Sequence, residues 1–270
     1  MTIHTSHAIG QLLRHWRQRR RMSQLTLATE AEISSRHLSF LETGRARPSR
    51  EMVLRLAEHL MIPLRDQNVL LVAAGYAPVF PEHPLDAPEL AAARHAIDLV
   101  LRGHEPYPAL AIDRHWTLVA ANRAIPPLLT AVDPALLQPP VNVIRLSLHP
   151  AGLAPQIANY PTWRAHLLTR LRQQIAVSGD AVLTALVEEV ATYVAPAGVG
   201  FTPPSPNTAI VVPLRLTTPT GVLSFISTTT VFGTPIDITV SGLAIESFFP
   251  ADAATAEALR ELVGREHAAG

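Results

Sequence analysis

The chain has 270 residues and no cysteine. That absence removes disulfides, thiolate zinc sites, thiol redox sensing and cysteine-based flavin adducts together. Lysine is missing as well: all 22 basic residues are arginine, a compositional bias that also suits phosphate contacts. No apolar stretch approaches the roughly 20 residues that a membrane helix needs. Residues 1 to 10 lack the positive start and apolar run of a signal peptide, so a cytoplasmic protein without a membrane partner is expected.

What is present divides unevenly. Net charge is zero over the whole chain, yet residues 1 to 77 carry eleven Arg against six acids, and residues 78 to 270 carry eleven Arg against sixteen. A basic smaller part beside an acidic larger one fits nucleic-acid binding by the first, although scattered charges alone give surpluses of this size. The length favours two domains with enough apolar content for both.

Residues 6 to 20 place Ile9, Leu12, Leu13 and Trp16 on one helical face, and an Arg cluster from Arg14 to Arg21 ends that helix. From Ser23 to Glu42 the spacing predicts two short helices joined by a tight turn. Ser23 caps the first and Ser34 or Ser35 the second, with Leu25, Ala28, Ile33, Leu38 and Leu41 as a shared apolar seam. Gly44 stops the second of them, and Arg45 and Arg47 follow in the loop. A fourth helix starts at the cap Ser49 and buries Val53, Leu56, Ala57 and Leu60. A fifth, over 65 to 74, contributes Val69, Leu70 and Ala73 and closes on Gly75.

The residues SQ, then L-A, then S-x-x-x-L-S-x-x-E-x-G-x-x-x-P-S resemble the Xre/Cro-type helix-turn-helix family over residues 6 to 76. The resemblance implies that Gln24 touches phosphate and orients the recognition helix, and that Ser34, Ser35, Arg36 and Ser39 face the bases. It also implies that Arg17 and Glu42 form an internal pair. Arg45 and Arg47 would contact phosphates and Arg36 would pair with guanine. The family usually has Gly in the turn where this chain has Glu32, so either that residue takes a left-handed conformation at a cost of about 1 kcal/mol or the turn is reshaped. For Phe40 two readings stand, contact with a thymine methyl or packing against the fourth helix or a second copy. A single helix-turn-helix reads few bases, so a homodimer on double-stranded DNA is expected.

Residues 77 to 88 hold four prolines and read as a stiff extended linker. Beyond it, 89 to 101 form a helix carrying Leu90, Ala93, Ile97, Val100 and Leu101. A hairpin over 109 to 121 turns at Asp113, Arg114 and His115, and Asn122 caps a following helix. Residues 123 to 152 are irregular and proline-rich, as a flap would be. Helices over 162 to 177 and 181 to 193 come next, then a loop over 195 to 208. Strands over 209 to 216, 222 to 231 and about 236 to 248 and a last helix over 253 to 263 complete the chain. A strand pair, helices and three strands make an α+β domain with an antiparallel, PAS-like sheet over residues 89 to 265.

The stretches HEPYPALAIDRHWTLVAAN, NYPTWRAHLL and STTTVFGTPIDITVSGLAIESFFPAD resemble the ligand-binding half of the MmyB-like transcription regulators. The resemblance implies an elongated apolar ligand such as a fatty acid; no other cofactor is required. Candidate lining residues are Trp116, Trp163, His166, Leu167, Phe225 and Phe232, with Arg164 for an acidic head group, although aromatics at such spacing more often belong to a filled core. His95, His104, His149 and His166 match no metal spacing. An enzyme finds little support. Ser227 to Thr230 lack a G-x-S-x-G elbow, the adjacent Glu188 and Glu189 point apart on a helix, and Gly198 and Gly200 lack the setting of a phosphate loop. The expected function is a DNA-binding transcription regulator that senses a small apolar ligand. The alternatives are a ligand-independent antitoxin-like or scaffolding DNA binder and a DNA-tethered hydrolase.

Overall fold

A computed structural model describes residues 3–196, 212–219 and 221–269. These residues divide into two compact units, one made of those up to His83 with Ala176–Gly179 and Pro235–Ser241, the other of Pro84–Ile175 with the described residues of 180–234 and 242–269.

The first unit holds helices α1 (Ile3–Arg19), α2 (Gln24–Glu30), α3 (Ser35–Glu42), α4 (Arg50–His59) and α5 (Leu64–Ala73). Three serines set where helices begin: Ser23, Ser34 and Ser49 accept from the backbone N–H of Thr26, His37 and Met52, each satisfying a donor that the first turn would leave unpaired. Leu13, Leu27, Leu38, Leu41 and Leu56 are fully buried at the centre. Two residues expected in the core, Leu25 of the seam and Val69 of the fifth helix, fall elsewhere. Leu25 is 68 % exposed, because the short α2 presents Leu27, Ala28 and Ala31 to the core instead. Val69 is 49 % exposed, with Leu70 and Leu71 forming the inward side of α5. α1 meets the end of α3 so closely that a Cβ on Gly10 would lie 2.5 Å from the Leu41 carbonyl oxygen.

Residues 77 to 83 are tied to α5. The Asn68 carboxamide accepts from the N–H of Val79 and Phe80 and donates to the Phe80 carbonyl, and Arg65 pairs with Glu82. In the same unit His83 Nδ1 lies 2.7 Å from Asp237 Oδ2.

The second unit begins with a turn of 3-10 helix at Pro88–Leu90 that runs into α6 (Ala91–Gly103). Leu90, Ile97 and Leu101 are buried while Val100 is exposed. The hairpin β1 (Ala109–Ile112) and β2 (Leu118–Ala121) follows. Asn122 does not cap a helix. It is buried, its carboxamide accepting from Ala109 N–H and donating to the carbonyls of Leu101 and Tyr107, so it binds the hairpin to the end of α6. The proline-rich stretch that follows contains two 3-10 turns, Pro126–Leu129 and Pro134–Leu137. It ends in α7 (Val143–Leu148), which Asn142 caps and whose Ile144, Leu146 and Leu148 are buried. Six residues are too few for helical periodicity to declare itself in sequence.

Helices α8 (Tyr160–Ser178) and α9 (Ala181–Ala191) come next, with Asp180 as the cap of α9. Strands β3 (Leu214–Thr218) and β4 (Gly221–Val231) are followed in the chain by α10 (Ile238–Ser241), which belongs to the first unit, and then by β5 (Ala244–Pro250) and α11 (Ala253–Ala269). The start of the expected strand over 209 to 216 and most of the loop over 195 to 208, Gly198 and Gly200 included, lie outside the described residues. The expected last strand is shorter than its apolar run: Asp237 accepts from Thr239 and Val240 N–H and winds 238 to 241 into a helical turn, so β5 begins only at Ala244. All strand pairs are antiparallel, in the order β2-β1-β5-β4-β3. The unit is therefore α+β with a PAS-like sheet. Its larger core gathers Leu110, Trp116, Trp163, Leu167, Leu216 and Phe225, and a smaller one joins Ile97 and Leu101 of α6 to Ala109, Ala111 and Ile245.

Candidate functional site

In the first unit, α2 and α3 form a helix-turn-helix whose turn has the short geometry the motif requires. Glu32 itself takes the left-handed conformation, with φ of 54°, and Ile33 N–H reaches back to the Ala28 carbonyl at 2.9 Å. The turn is thus not reshaped; the strain is accepted at an exposed glutamate. Behind α3, Arg17 Nε and Nη2 donate to the two oxygens of Glu42 at 2.6 and 2.8 Å, and Gln24 Nε2 donates to Oε2 at 2.8 Å. The Glu42 hydrogen bond raises the Arg17 pKa further, against the opposing effect of burial. Glu42 therefore gathers α1, α2 and α3 at one point, and Gln24 is half-buried on that node.

On the outer side of α3, Ser34, Ser35 and Arg36 are exposed, as are Arg45 and Arg47 in the following loop, while Ser39 is half-buried. Phe40 is neither in the core nor bare. The Arg36 guanidinium lies 5.4 Å and that of Arg45 6.0 Å from the centre of its ring. The ring gathers two cations on its faces and limits their freedom to move.

The second unit contains a cavity of about 100 Å³ between the sheet and the helices. From the sheet it is lined by Leu110, Leu214, Leu216, Phe225 and Phe248, and from the segment before α8 by Ile125, Leu128, Leu129, Ile144 and Leu146. Of the residues singled out in sequence, Trp116, Trp163, Leu167 and Phe225 come together on this wall. Trp116, with φ of 66°, donates its indole N–H to Gln174 at 2.7 Å, and Trp163 donates to Ser147 Oγ at 3.0 Å. His166 sits behind Trp163, ring centroids 5.4 Å apart, outside the lining. Burial lowers its pKa, Arg170 adds to the effect and Glu246 partly offsets it. Phe232 packs instead with the smaller core beside Ile245.

Arg164 is not the cation at this cavity. It donates to the Val190 carbonyl at 3.2 Å and lines a different hollow with Arg172. The cavity's cation is Arg170, whose Nη2 and Nη1 donate to the Glu246 carboxylate at 2.6 and 3.2 Å, with the guanidinium 4.7 Å from the Trp116 ring. Helical periodicity carries the signal that sequence reasoning missed. Trp163, Leu167 and Arg170 are spaced i, i+4, i+7 and share a face, whereas Arg164 is one residue, about 100°, off it. Glu246 faces Thr229 across β5 and β4, and Thr229 Oγ1 donates to it at 2.8 Å. The hydroxyl run from Ser227 to Thr230 is thus part of β4.

Among the described residues no group of three His, Asp or Glu is disposed to hold a metal ion. None of the described helices is long and apolar enough to cross a membrane.

The family of MmyB-like transcription regulator ligand binding domains matches residues 93–262, and a helix-turn-helix domain family matches residues 8–68. No curated protein matches the chain. Among solved structures, the crystal structure of the clp gene regulator ClgR from C. glutamicum aligns at 28 % identity over 26 % of this chain and 88 % of its own, with a TM-score of 0.24. A structure of an RNA-binding Light-Oxygen-Voltage receptor aligns at 14 % identity over 98 % of this chain and 64 % of its own, also with a TM-score of 0.24.

Proposed function

We infer the function of this chain from the premise that it belongs to the MmyB-like transcription regulator ligand-binding family, with a helix-turn-helix domain ahead of that region: it is a DNA-binding transcriptional regulator with a ligand-sensing domain. We propose residues 6–76 as the DNA-binding domain, 77–88 as the connection and 89–265 as the sensor. α3 enters the major groove, where Ser35 and Arg36 reach base edges while Arg45 and Arg47 hold phosphates. Two copies of the chain bind half-sites about 34 Å apart on a partly symmetric operator. The sensor takes a fatty acid or a similar small apolar molecule, and occupancy shifts the dimer between arrangements that bind DNA unequally.

The observation that carries this reading is the apolar cavity of about 100 Å³ in the family-matched region. By comparison, a dry cavity of about 150 Å³ accepts benzene. This cavity is smaller than that and has room as it stands for a short alkyl chain, while a ring or a longer chain would have to spread the proline-rich segment that bears Leu128 and Leu129. The test is to select the protein's preferred operator from random duplexes, then measure operator affinity with and without alkyl ligands of increasing length. Organic extracts of the purified protein are analysed by mass spectrometry alongside. Operator affinity that no such ligand changes, together with extracts free of any lipid-like molecule, would overturn the sensor function and leave the DNA-binding function in place.

A further inference from the structure

The one polar edge of the cavity carries chemistry that its apolar walls do not. It is formed by Arg170 and Glu246, and Ser147 is a further polar residue of the lining. The first two are already joined: two guanidinium nitrogens face the two carboxylate oxygens, and Thr229 bridges them, accepting from Arg170 Nη2 at 3.0 Å and donating to Glu246 Oε1 at 2.8 Å. Glu246 has a side chain only 5 % exposed, and Arg170 one of 23 %. The edge is therefore neutral as a whole, and its cation is committed.

We propose that, among small apolar molecules, this cavity selects those whose polar end is uncharged, an alcohol, ester or lactone rather than an ionised carboxylate. The inference rests on the cavity being the sensor's ligand site, as proposed above. An incoming carboxylate would lose its hydration among Leu, Phe and Trp side chains and meet Glu246 as well as Arg170. Attraction and repulsion of similar size then leave the desolvation uncompensated. To claim Arg170 for itself it would have to dislodge Glu246, which would be left buried without its partner. An uncharged oxygen meets no such obstacle. Ser147 Oγ accepts from the Trp163 indole, which leaves its own O–H to be donated to a ligand oxygen. The Glu246 carboxylate can accept from a ligand hydroxyl. A hydroxyl or carbonyl oxygen can use either group by itself, and it gives up far less hydration than a carboxylate on entering an apolar cavity. A fatty acid would then enter in its protonated form or as a neutral derivative.

The test is calorimetric titration of the full chain at neutral pH with two matched probes, hexanol and hexanoate. Hexanol should bind at least tenfold more tightly. In Glu246→Gln, where the edge becomes net positive, that preference should fall at least tenfold. Should this variant not fold, the wild-type comparison decides by itself. Hexanoate binding as tightly as hexanol to the wild type would overturn the selection rule while leaving the cavity as a ligand site, and an unchanged preference in Glu246→Gln would overturn the part assigned to the pair. If neither hexanol, octanol nor hexanoate binds, the cavity's function as a ligand site fails, and the selection rule with it.

Discussion

Arg17 and Glu42 face each other through two parallel hydrogen bonds of 2.6 and 2.8 Å, both residues being less than a tenth exposed. Two buried charges joined in this way contribute less to stability than to fixing the position of α3. Removing one of them is another matter. Glu42→Ala should cost about 3 to 5 kcal/mol in urea unfolding, because Arg17 is left buried and unpaired and the Gln24 carboxamide loses its acceptor. The double replacement Arg17→Met, Glu42→Leu should recover most of that loss, and equal losses in the single and double variants would contradict this account.

The left-handed backbone at Glu32 predicts a gain. Glu32→Gly removes a steric cost of about 1 to 2 kcal/mol and adds part of that back in the freedom glycine gives the unfolded chain. A net stabilisation of about 0.5 to 1 kcal/mol is expected. It is measured as a raised urea midpoint with unchanged slope, and operator affinity should stay the same.

The helical half of the molecule was legible because its signals are local. A serine cap accepts from an N–H three residues on, so Ser23 and Ser49 could be read without any tertiary knowledge; the structure decides for Ser34 over Ser35, and it shows Glu32, which only the family resemblance had marked, to be left-handed. The antiparallel, PAS-like class of the sheet followed from alternation and the order of elements, whereas the strand order β2-β1-β5-β4-β3 did not. What could not be read was tertiary pairing. Glu246 looks like one acid in an apolar strand until β4 brings Thr229 opposite it and α8 brings Arg170 above it. Asn122 looks like a helix cap until the end of α6 supplies the carbonyls that it binds instead. Leu25 shows the limit of counting apolar spacing in a seven-residue helix, where several faces satisfy the pattern equally well.

Around Phe40 the proposed DNA surface offers a separation of roles. Arg36→Ala should relax sequence preference at one operator position, at a cost of about 1 to 3 kcal/mol for the best base there. Arg45→Ala should weaken all sequences alike and reduce the slope of log affinity against log salt by about 0.9. Phe40→Ala should do some of both, since its ring holds both cations. These outcomes are read from binding to matched and mismatched duplexes across a salt series.

His166 should make the second unit sensitive to mild acid. Its folded pKa is lowered from 6.5, first by burial and then by Arg170. The unfolded chain therefore takes up the proton at a higher pH than the folded chain does. The contribution of the neutral ring is complete above about pH 6.5 and is lost as the pH falls toward the lowered folded value. Urea midpoints should drop across this range in the wild type, and that part of the drop should disappear in His166→Gln. An identical pH profile in the variant would show that His166 is not the group responsible.

The chain has three tryptophans, and two of them, Trp116 and Trp163, stand on the wall of the cavity with their indole N–H groups anchored to Gln174 and Ser147. The third, Trp16, lies in the first unit with the cations of Arg19 and Arg20 over its ring at 5.3 and 5.6 Å. In optical terms the protein carries its own label. With Trp16 replaced by Phe, all remaining indole emission originates at the cavity, so its colour and intensity follow the polarity there as a guest enters. The proposed occupancy can then be tested in real time, in the presence or absence of the proposed operator, with no dye and no chemical modification of the chain.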